Sequence, residues 1–373
     1  MKNSIGRLIY HWFVKNFYGI KSYRGGWLLT HYYLDDYKKH YTSYWNIIKV
    51  HLKGWCYYDW ITIGITDNNR MKYLCTKDYH SLHPFNGIYS YYIDDKLTLK
   101  YILNGTQCGQ YMPDYYYCIE SNGTYDPLMD LPSDIRCKNN LIDGILNLCK
   151  SKEALAFKAI KGACGQGFYK LEYKQNRFFL NGEELSEVET VSFVKSLKGY
   201  LVTELLYPHR EIAKYCDKSV GSLRYTIGKK MNGDWVKVCT IMRFGTNESN
   251  AVDNFHAGGV TVNLEDDGSY NGGYKLDLKT WNTIKLTNHP DNNIPISGKL
   301  PLWDEVELAA KRLTEVLSQN VYLGIDFCLT KDNKVKIIEI NSQSGLEIMQ
   351  LVKSAYDTPA ADFFRERLDN LQH

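Results

Sequence analysis

Gly324-Ile325-Asp326-Phe327 and Ile338-Glu339-Ile340-Asn341 are two stretches in which apolar and β-branched residues alternate with polar ones. This period of two predicts a pair of β-strands. Between them, Lys331-Asp332-Asn333-Lys334 predicts a tight turn. A two-residue loop at Asp332-Asn333 would place Asp326 opposite Glu339 and Gly324 opposite Asn341. The sequence therefore predicts an antiparallel hairpin with this register.

One face of this hairpin carries three oxygen ligands. Asn341 lies two residues beyond Glu339 and so shares a face with Glu339 and Asp326. Like charges opposed across a ladder destabilise it, and a cation between them removes that cost. Oxygen ligands without His or Cys favour Mg2+. We predict a magnesium site at Asp326, Glu339 and Asn341; the alternative is an ordinary hairpin with a solvated acidic face.

The opposite face of the hairpin is apolar, and we expect it to be buried. It consists of Ile325, Phe327, Leu329, Ile338 and Ile340.

Size and composition are those of a globular protein of two or three lobes. The chain has 373 residues, 44% of them hydrophobic and 23% charged. Its net charge of +3 is too small to favour a nucleic-acid partner. The ten cysteines form no C-x-x-C pair, which indicates reduced thiols in a cytoplasmic protein.

The first 55 residues are basic, aromatic and helix-like. They contain nine Lys or Arg and two acids, which gives the segment a net charge of +7. Such a segment can lie on the inner face of an anionic membrane, bind an anionic glycan, or pack on the main body with a solvated basic face. We expect the packing arrangement. The apolar run that follows, residues 57–65, predicts a strand.

A glycine-rich loop lies between two predicted strands. Its pattern is Gly162-x-x-Gly165-x-Gly167, and Lys158 lies on the strand that leads into it. Successive glycines let backbone N–H groups face an anion, and a lysine supplies a point charge for a phosphate. The spacing matches neither a Walker A loop nor a dinucleotide fingerprint. A tight turn is the alternative.

Further polar residues fall at strand ends and in apolar surroundings. Glu204 and Leu206 close a buried strand, and Glu211 follows. Arg224 and Arg243 each have apolar neighbours on β-like segments, and burying an arginine requires a paired anion. Residues 253–259 mix donors with glycines, which suits either a loop that closes over a ligand or a glycine turn with an Asx cap.

Taken in chain order, these motifs resemble those of the ATP-grasp superfamily. The resemblance rests on Lys158 before the loop, Glu204 at a strand end, the arginines of the following sheet, and Asp326 with Glu339-x-Asn341. More narrowly, the chain is similar to the sugar-transfer-associated ATP-grasp proteins linked to capsule and exopolysaccharide genes. That likeness covers roughly residues 90–350. Two positions depart from the family pattern: Ala159, where relatives often have Pro, and Gly221, where Asn is expected.

The resemblance implies an α+β ATP-grasp fold, in which two α+β lobes hold ATP between them, with a mostly helical N-terminal extension. We expect an N-terminal region at 1–105, a small lobe with the glycine flap at 106–202, and a large lobe with the metal site at 203–373. The cofactors implied are ATP and Mg2+.

The resemblance also assigns roles to residues. Arg243, Arg224 and Lys158 would be catalytic, and Asp326, Glu339 and Asn341 would hold the metal. ATP would be bound by Lys96, Lys158, Gly165, Gln166, Gly167, Glu204, Leu206 and Glu211. Substrate would be bound by His209, Asp253, Asn254, His256, Gly258 and Gly259.

The expected activity is ATP-dependent ligation of a carboxylate to an amine through an acyl phosphate, with a sugar or glycan as one partner. One alternative is a kinase on the same fold that phosphorylates a sugar or another small molecule. Another is a nucleotide-binding scaffold of a glycan assembly complex, for which the metal residues would be dispensable.

Overall fold

Helices dominate the first hundred residues of the chain, and antiparallel strands dominate most of the rest. The computed structural model describes residues 5–39, 41–136, 141–160, 167–250 and 252–372. Its α-helices are α1 (Ile5–Phe17), α2 (Tyr23–Lys38), α3 (Tyr44–His51), α4 (Tyr57–Ile63), α5 (Thr76–Ser81), α6 (Ser90–Asp94), α7 (Lys96–Asn104), α8 (Ser133–Arg136), α9 (Leu141–Lys152), α10 (Glu187–Ser196), α11 (Arg210–Ala213), α12 (Trp303–Val316), α13 (Leu346–Gln350) and α14 (Ala361–Gln372).

The strands run from β1 to β16 in chain order. They are β1 (Tyr115–Ile119), β2 (Tyr125–Pro127), β3 (Ala154–Ala159), β4 (Phe168–Lys174), β5 (Arg177–Leu180), β6 (Glu183–Leu185), β7 (Tyr200–Glu204), β8 (Ser222–Lys229), β9 (Trp235–Phe244), β10 (Val260–Asn263), β11 (Ser269–Asn271), β12 (Gly273–Leu276), β13 (Thr283–Leu286), β14 (Ser297–Lys299), β15 (Tyr322–Leu329) and β16 (Val335–Asn341).

Residues 95–207 form one compact unit. Its antiparallel sheet has the strand order β2-β1-β7-β3-β4-β5-β6. Phe157 and Val202 are opposed on neighbouring strands and fully buried, and Ile145 and Leu148 of α9 and Val194 of α10 belong to the same core. The unit is thus an α+β sandwich of one sheet and a helical layer.

Residues 1–94 and 208–373 form the second unit. Its sheet has the order β13-β12-β10-β9-β8-β15-β16, and every pairing in it is antiparallel. β15 is buried along its whole length, because it lies between β8 and β16 and has packed side chains on both faces. This sheet supplies the rigid frame for the charged residues described below.

The predicted strand over residues 57–65 is wrong, because Tyr57–Ile63 is the helix α4. The Cys56 sulfur accepts the N–H of Asp59 at the start of the helix, and Gly64 ends it with a φ of 77°. Tyr58, Asp59 and Thr62 face inward, which is one side of a helix. An apolar run this short gives no periodicity that separates a strand from a buried helix.

The pairing predicted for the C-terminal hairpin is confirmed, since Asp326 faces Glu339 and Gly324 faces Asn341. The predicted two-residue loop is wrong. Thr330 N–H bonds to Lys334 O, which leaves three residues in the loop, and Asn333 takes a left-handed φ of 56°.

Next to the turn the pairing is one residue away from the predicted register, since Phe327 pairs with Ile337 rather than with Ile338. A bulge at Ile338 in β16 then restores the predicted register, so that Asp326 pairs with Glu339. The extra residue reverses the faces of β16 beyond this point. Ile337, not Ile338, is therefore fully buried with Ile340.

Candidate functional site

Four charged side chains lie in a row across one face of the second unit's sheet. Arg224 on β8 is the direct partner of Asp326 on β15, and Asp326 is the direct partner of Glu339 on β16. Arg243 on β9 is two residues beyond Ile241, the partner of Arg224, so it shares this face. Four neighbouring strands thus bring together residues that the sequence separates by up to 115 positions.

Asp326 is the centre of this charged row. Its carboxylate is 3% exposed and accepts hydrogen bonds from Arg224 Nε and, at 2.9 Å, from Arg224 Nη2. Arg243 Nη2 lies 3.0 Å from Asp326 Oδ2. Burial alone would raise the pKa of Asp326, but the charges of Arg224 and Arg243 hold it below the ordinary aspartate value. Asp326 is therefore ionised at neutral pH.

Asp326 holds Arg243 in place, but one N–H donor of the Arg243 guanidinium has no acceptor in the described part of the chain. Its Nε is buried and has no hydrogen-bond partner among the residues that the structure describes. A buried guanidinium donor without a partner costs free energy unless it meets an acceptor. The arrangement suits an anion with several oxygens, and the catalytic role of Arg243 stays a prediction.

The three predicted metal ligands share one face at the edge of the sheet. Asn341 Nδ2 donates to Glu339 Oε1 at 3.3 Å, and Glu339 faces Asp326 across the ladder. The donor set is two carboxylates and an amide, which fits a hard divalent cation. Within the described residues, no group of three or more His, Cys, Asp or Glu side chains has the arrangement of a metal site. The predicted site depends on an amide as its third ligand.

The loop predicted to bind substrate is an Asx-capped glycine turn. Asn254 Oδ1 accepts the N–H of His256 at 3.1 Å, and Gly258 ends the turn with a φ of 94°. Asp253 Oδ2 accepts the N–H of Ser222 at 2.6 Å, which ties the loop to the start of β8. Gly259 leaves no room for a Cβ, because the carbonyl oxygen of Asn254 would lie 2.9 Å from it. The substrate role of these residues stays a prediction.

His256 extends from this loop to a buried carboxylate. Its Nε2 lies 2.9 Å from Glu347 Oε1, and its ring stacks on Tyr58 at 5.6 Å. Burial alone would lower the pKa of His256, but Glu347 raises it above the ordinary value. Burial alone would raise the pKa of Glu347, and the hydrogen bond and charge of His256 lower it. The His256 side chain is 43% exposed and that of Glu347 only 4%, so the ion pair joins a partly exposed imidazole to a buried carboxylate of α13.

His209 and Glu211 lie at the turn end of the hairpin, away from the charged row. His209 Nε2 bonds to Asn333 Oδ1 at 3.0 Å, and its Nδ1 accepts the N–H of Glu211 at 3.1 Å. Nε2 of His209 therefore holds the loop that closes β15 and β16, whereas Nδ1 caps the N-terminus of α11. Glu211 is about half exposed and lies 3.2 Å from Lys214 Nζ. The predicted ligand contacts of both residues remain predictions.

The other predicted nucleotide residues belong to the unit 95–207. Lys158 lies on β3, between Leu201 and Phe168 on the neighbouring strands, and Lys96 is the first residue of α7. Gly167 has a φ of 72°, and a Cβ there would lie 2.9 Å from the Tyr200 hydroxyl and 3.1 Å from the Ala159 Cβ, so the chain passes close to β3 at this point. Gly165 and Gln166 lie outside the described residues.

Glu204 closes β7, as predicted. Its Oε2 accepts the N–H of Asp114 at 3.2 Å, and its own N–H bonds to Asp114 O at 2.9 Å. Leu206 is buried two residues later. The position at the strand end is confirmed, and the contact with adenine stays a prediction.

A model of the sugar-transfer associated ATP-grasp family matches residues 82–361. The chain belongs to this family. The ATP-grasp fold expected from the sequence is thereby confirmed. A search of the curated proteins finds no match to the chain.

Several solved structures are similar to this ATP-grasp chain. D-alanyl-alanine synthetase A from Vibrio cholerae has 12% identity, covers 76% of this chain and 67% of its own, and has a TM-score of 0.45. An L-amino acid ligase from Bacillus licheniformis has 11% identity, coverage of 75% and 48%, and a TM-score of 0.40. N5-carboxyaminoimidazole synthetase from Staphylococcus aureus, complexed with ADP, has 9% identity, coverage of 68% and 45%, and a TM-score of 0.38. The chain spans about two thirds of the first structure and less than half of the other two.

The sequence analysis missed two polar residues near the charged row of this ATP-grasp protein, Ser344 and Glu347. Asp94, part of a stretch Asp94-Asp95-Lys96-Leu97 that contributes to the narrower family likeness, lies close to the same row. Ser344 Oγ accepts from Arg224 Nη1 at 3.3 Å and occupies the space over Gly324. Asp94 accepts the N–H and the hydroxyl of Ser342 at 2.8 and 2.7 Å, which fixes the chain just after Asn341. The Ser and Gly run 342–345, directly after a buried strand, is the signal that could have pointed to this part of the site.

Gly221, where the ATP-grasp pattern predicts Asn, has a local structural reason. Its φ is 55°, and a Cβ there would overlap the Ile212 side chain. A larger residue would require Ile212 to move, so this position is closed to a substrate-binding side chain in the present packing.

Proposed function

We propose that the protein is an ATP-dependent carboxylate–amine ligase that modifies a sugar or glycan in capsule or exopolysaccharide biosynthesis. The observation that carries the proposal is the buried Arg224–Asp326–Arg243 cluster beside Glu339 and Asn341, within a member of the sugar-transfer associated ATP-grasp family. Two fixed guanidinium groups beside a carboxylate pair suit the transfer of a phosphoryl group, since its charge needs positioned donors more than a protein nucleophile.

The residues in and around the cluster would have different roles in binding the phosphates and the metal. Asp326 and Ser344 fix the plane of Arg224, so little side-chain entropy remains to be lost on binding. Arg243 would donate its unsatisfied Nε to an oxygen of the transferred group. Asp326, Glu339 and Asn341 would hold Mg2+, which supplies charge compensation for the phosphates when bound. Lys158 and Lys96 would add point charges for phosphate.

The proposed reaction has two steps. A carboxylate oxygen of the first substrate attacks the γ-phosphorus of ATP, the bond to the bridging oxygen breaks, and ADP leaves with that electron pair. The nitrogen of an amine then attacks the acyl carbon, phosphate leaves, and the ammonium proton passes to solvent. The arginines stabilise charge in the first step, and the protein forms no covalent bond to the substrate.

The test is release of ADP and of free phosphate with panels of uronic acids, amino acids and amino sugars. A ligase releases both in equal amounts only when acid and amine are present together, whereas a kinase releases ADP without free phosphate. Arg243→Gln should lower turnover about 100- to 1,000-fold, as for loss of one transition-state donor.

Asp332→Asn is the matched control, because Asp332 is exposed in the turn of the same hairpin. It should retain full turnover. Tight ATP binding without turnover of any acid–amine pair would contradict the proposal, as would full activity of Arg243→Gln.

A further inference from the structure

Helix α1 has two faces with different surroundings. On the inner face, His11 and Val14 are buried. The His11 ring stacks on Trp27 of α2, with the ring centroids 4.3 Å apart and the planes 6° from parallel, and its Nδ1 lies 3.3 Å from Thr30 Oγ1. These contacts hold α1 against α2, so the outer face is not needed to keep the helix in place.

The outer face of α1 is apolar along its whole length. Trp12 and Ile9 are 66% and 62% exposed. The exposed large apolar residues recur at the three- and four-residue spacing of one helical face, and they are Ile5, Leu8, Ile9, Trp12, Phe13 and Phe17. The helix expected to show a solvated basic face therefore shows an apolar one.

This apolar face continues on neighbouring elements. Phe17 lines a surface depression together with Leu52, which follows α3, and with Met71. Leu52 and Met71 are both more than half exposed. Lys53, Arg70, Lys77 and Asp78 line the same depression, so the apolar face of α1 ends there in a mixed rim. An exposed apolar helix face of this length marks a binding surface more often than an isolated residue does.

The charge of α1 and the chain that follows it is positive. The first acid of the chain is Asp35, so residues 1–34 carry only basic charge. Arg7 and Lys15 of α1 are partly buried against Trp27 and Tyr23 of α2, and Lys21 and Arg24 are exposed. The other acid of the segment, Asp36, is 1% exposed and bonded to His51 at 2.8 Å, so it does little to offset the positive surface.

We propose that α1 lies in the interface of an anionic phospholipid membrane, with its apolar face inserted and its basic residues at the headgroups. An anionic membrane makes use of both the apolar face and the positive charge. Insertion buries the apolar side chains, and anionic lipids attract Lys and Arg. An anionic glycan would not require the apolar face. A second copy would bring two segments of net charge +7 together, which repel each other.

Attachment would be peripheral. Among the described residues, no helix has the length and apolar character needed to cross a bilayer. Long basic side chains beside the apolar face can extend to the headgroups while their stems stay in the apolar layer.

The experiment is co-sedimentation of the full chain with vesicles of phosphatidylcholine alone or with one third phosphatidylglycerol. The unaltered chain should bind the anionic vesicles and should bind more weakly at high salt. The double variant Ile9→Ser/Phe13→Ser should lower the partition coefficient about ten-fold or more, because two inserted side chains are lost. Lys21→Gln/Arg24→Gln, at two exposed cations, should lower the preference for phosphatidylglycerol.

Ile88→Ser/Ile284→Ser is the matched control, since both isoleucines are exposed elsewhere in the same unit. It should bind vesicles as the unaltered chain does. Thermal melting establishes that every variant is folded. Equal sedimentation of Ile9→Ser/Phe13→Ser and the unaltered chain would overturn the proposal. So would loss of a dimer in this variant, measured by sedimentation velocity, without any vesicle binding by the unaltered chain.

Discussion

Asp326 and Asp59 are two aspartates of the same unit, and they are almost equally buried, at 3% and 2% exposure. Their protonation differs because their partners differ. Asp326 meets two guanidinium groups, which lower its pKa. Asp59 Oδ2 accepts the Thr76 hydroxyl at 2.6 Å, and its Oδ1 has no partner among the described residues. Burial and the charge of Glu347 raise the pKa of Asp59 to about 7.

This difference shows that burial alone does not decide the charge of a carboxyl group. Desolvation disfavours the charged form at both positions, and only a nearby cation reverses the outcome. The charged row therefore keeps a buried anion available at neutral pH, whereas the helical region keeps a carboxyl group that titrates there.

The largest expected effect is that of Asp326→Asn on stability. It leaves Arg224 and Arg243 without their counter-charge, and loss of one partner of a buried ion pair costs about 3–5 kcal/mol. Urea unfolding at pH 7.5 measures this loss. Asp332→Asn, on the exposed turn, should unfold within about 0.5 kcal/mol of the unaltered chain. An Asp326→Asn protein as stable as this control would show that the arginines do not depend on Asp326.

Asp59→Asn should have the opposite effect on the free energy of unfolding, because it stabilises the protein at high pH. Because the folded-state pKa of Asp59 lies above its unfolded value of 3.8, the folded state binds the proton more tightly. Its contribution to stability is therefore full below about pH 4 and is lost as the pH rises to about 7. Asparagine keeps the bond to Thr76 without the buried charge, and should stabilise the protein by about 1–3 kcal/mol at pH 8 and hardly at all at pH 4.

Melting temperatures between pH 4 and pH 8 check this prediction, with Asp67→Asn as the exposed control. His256 also has a raised pKa, so its contribution likewise falls as the pH rises. The melting temperature of Asp59→Asn will thus still fall somewhat as the pH rises. A pH profile of Asp59→Asn identical to that of the unaltered chain would contradict the assigned ionisation.

The smallest effect is expected for Ser344→Ala. The Ser344 hydroxyl is a neutral acceptor for Arg224, whose charge stays paired with Asp326. The loss should be about 0.5–1.5 kcal/mol in urea unfolding, the usual value of one hydrogen bond. Ser318→Ala, at an exposed serine, should cost less. A loss as large as that of Asp326→Asn would mean that a neutral hydroxyl matters as much as the buried charge.

The sequence predicted the hairpin register but not how it is reached. Alternation of apolar and polar residues fixes which residues share a face, so Asp326 and Glu339 could be paired. The three-residue loop and the bulge at Ile338 each displace the register by one residue, and the two displacements cancel. Local pattern gives no indication of such compensating irregularities.

By itself, the sequence determined the fold family and the candidate site on the sheet, because strand periodicity, glycine spacing and the acidic pair are local properties. Only the tertiary structure decided which cations meet Asp326, that Glu347 pairs with His256, and that α1 turns apolar side chains outward. Each of these depends on contacts between elements far apart in the chain. Burial and charge pairing are set by those contacts, not by the neighbours of a residue along the sequence.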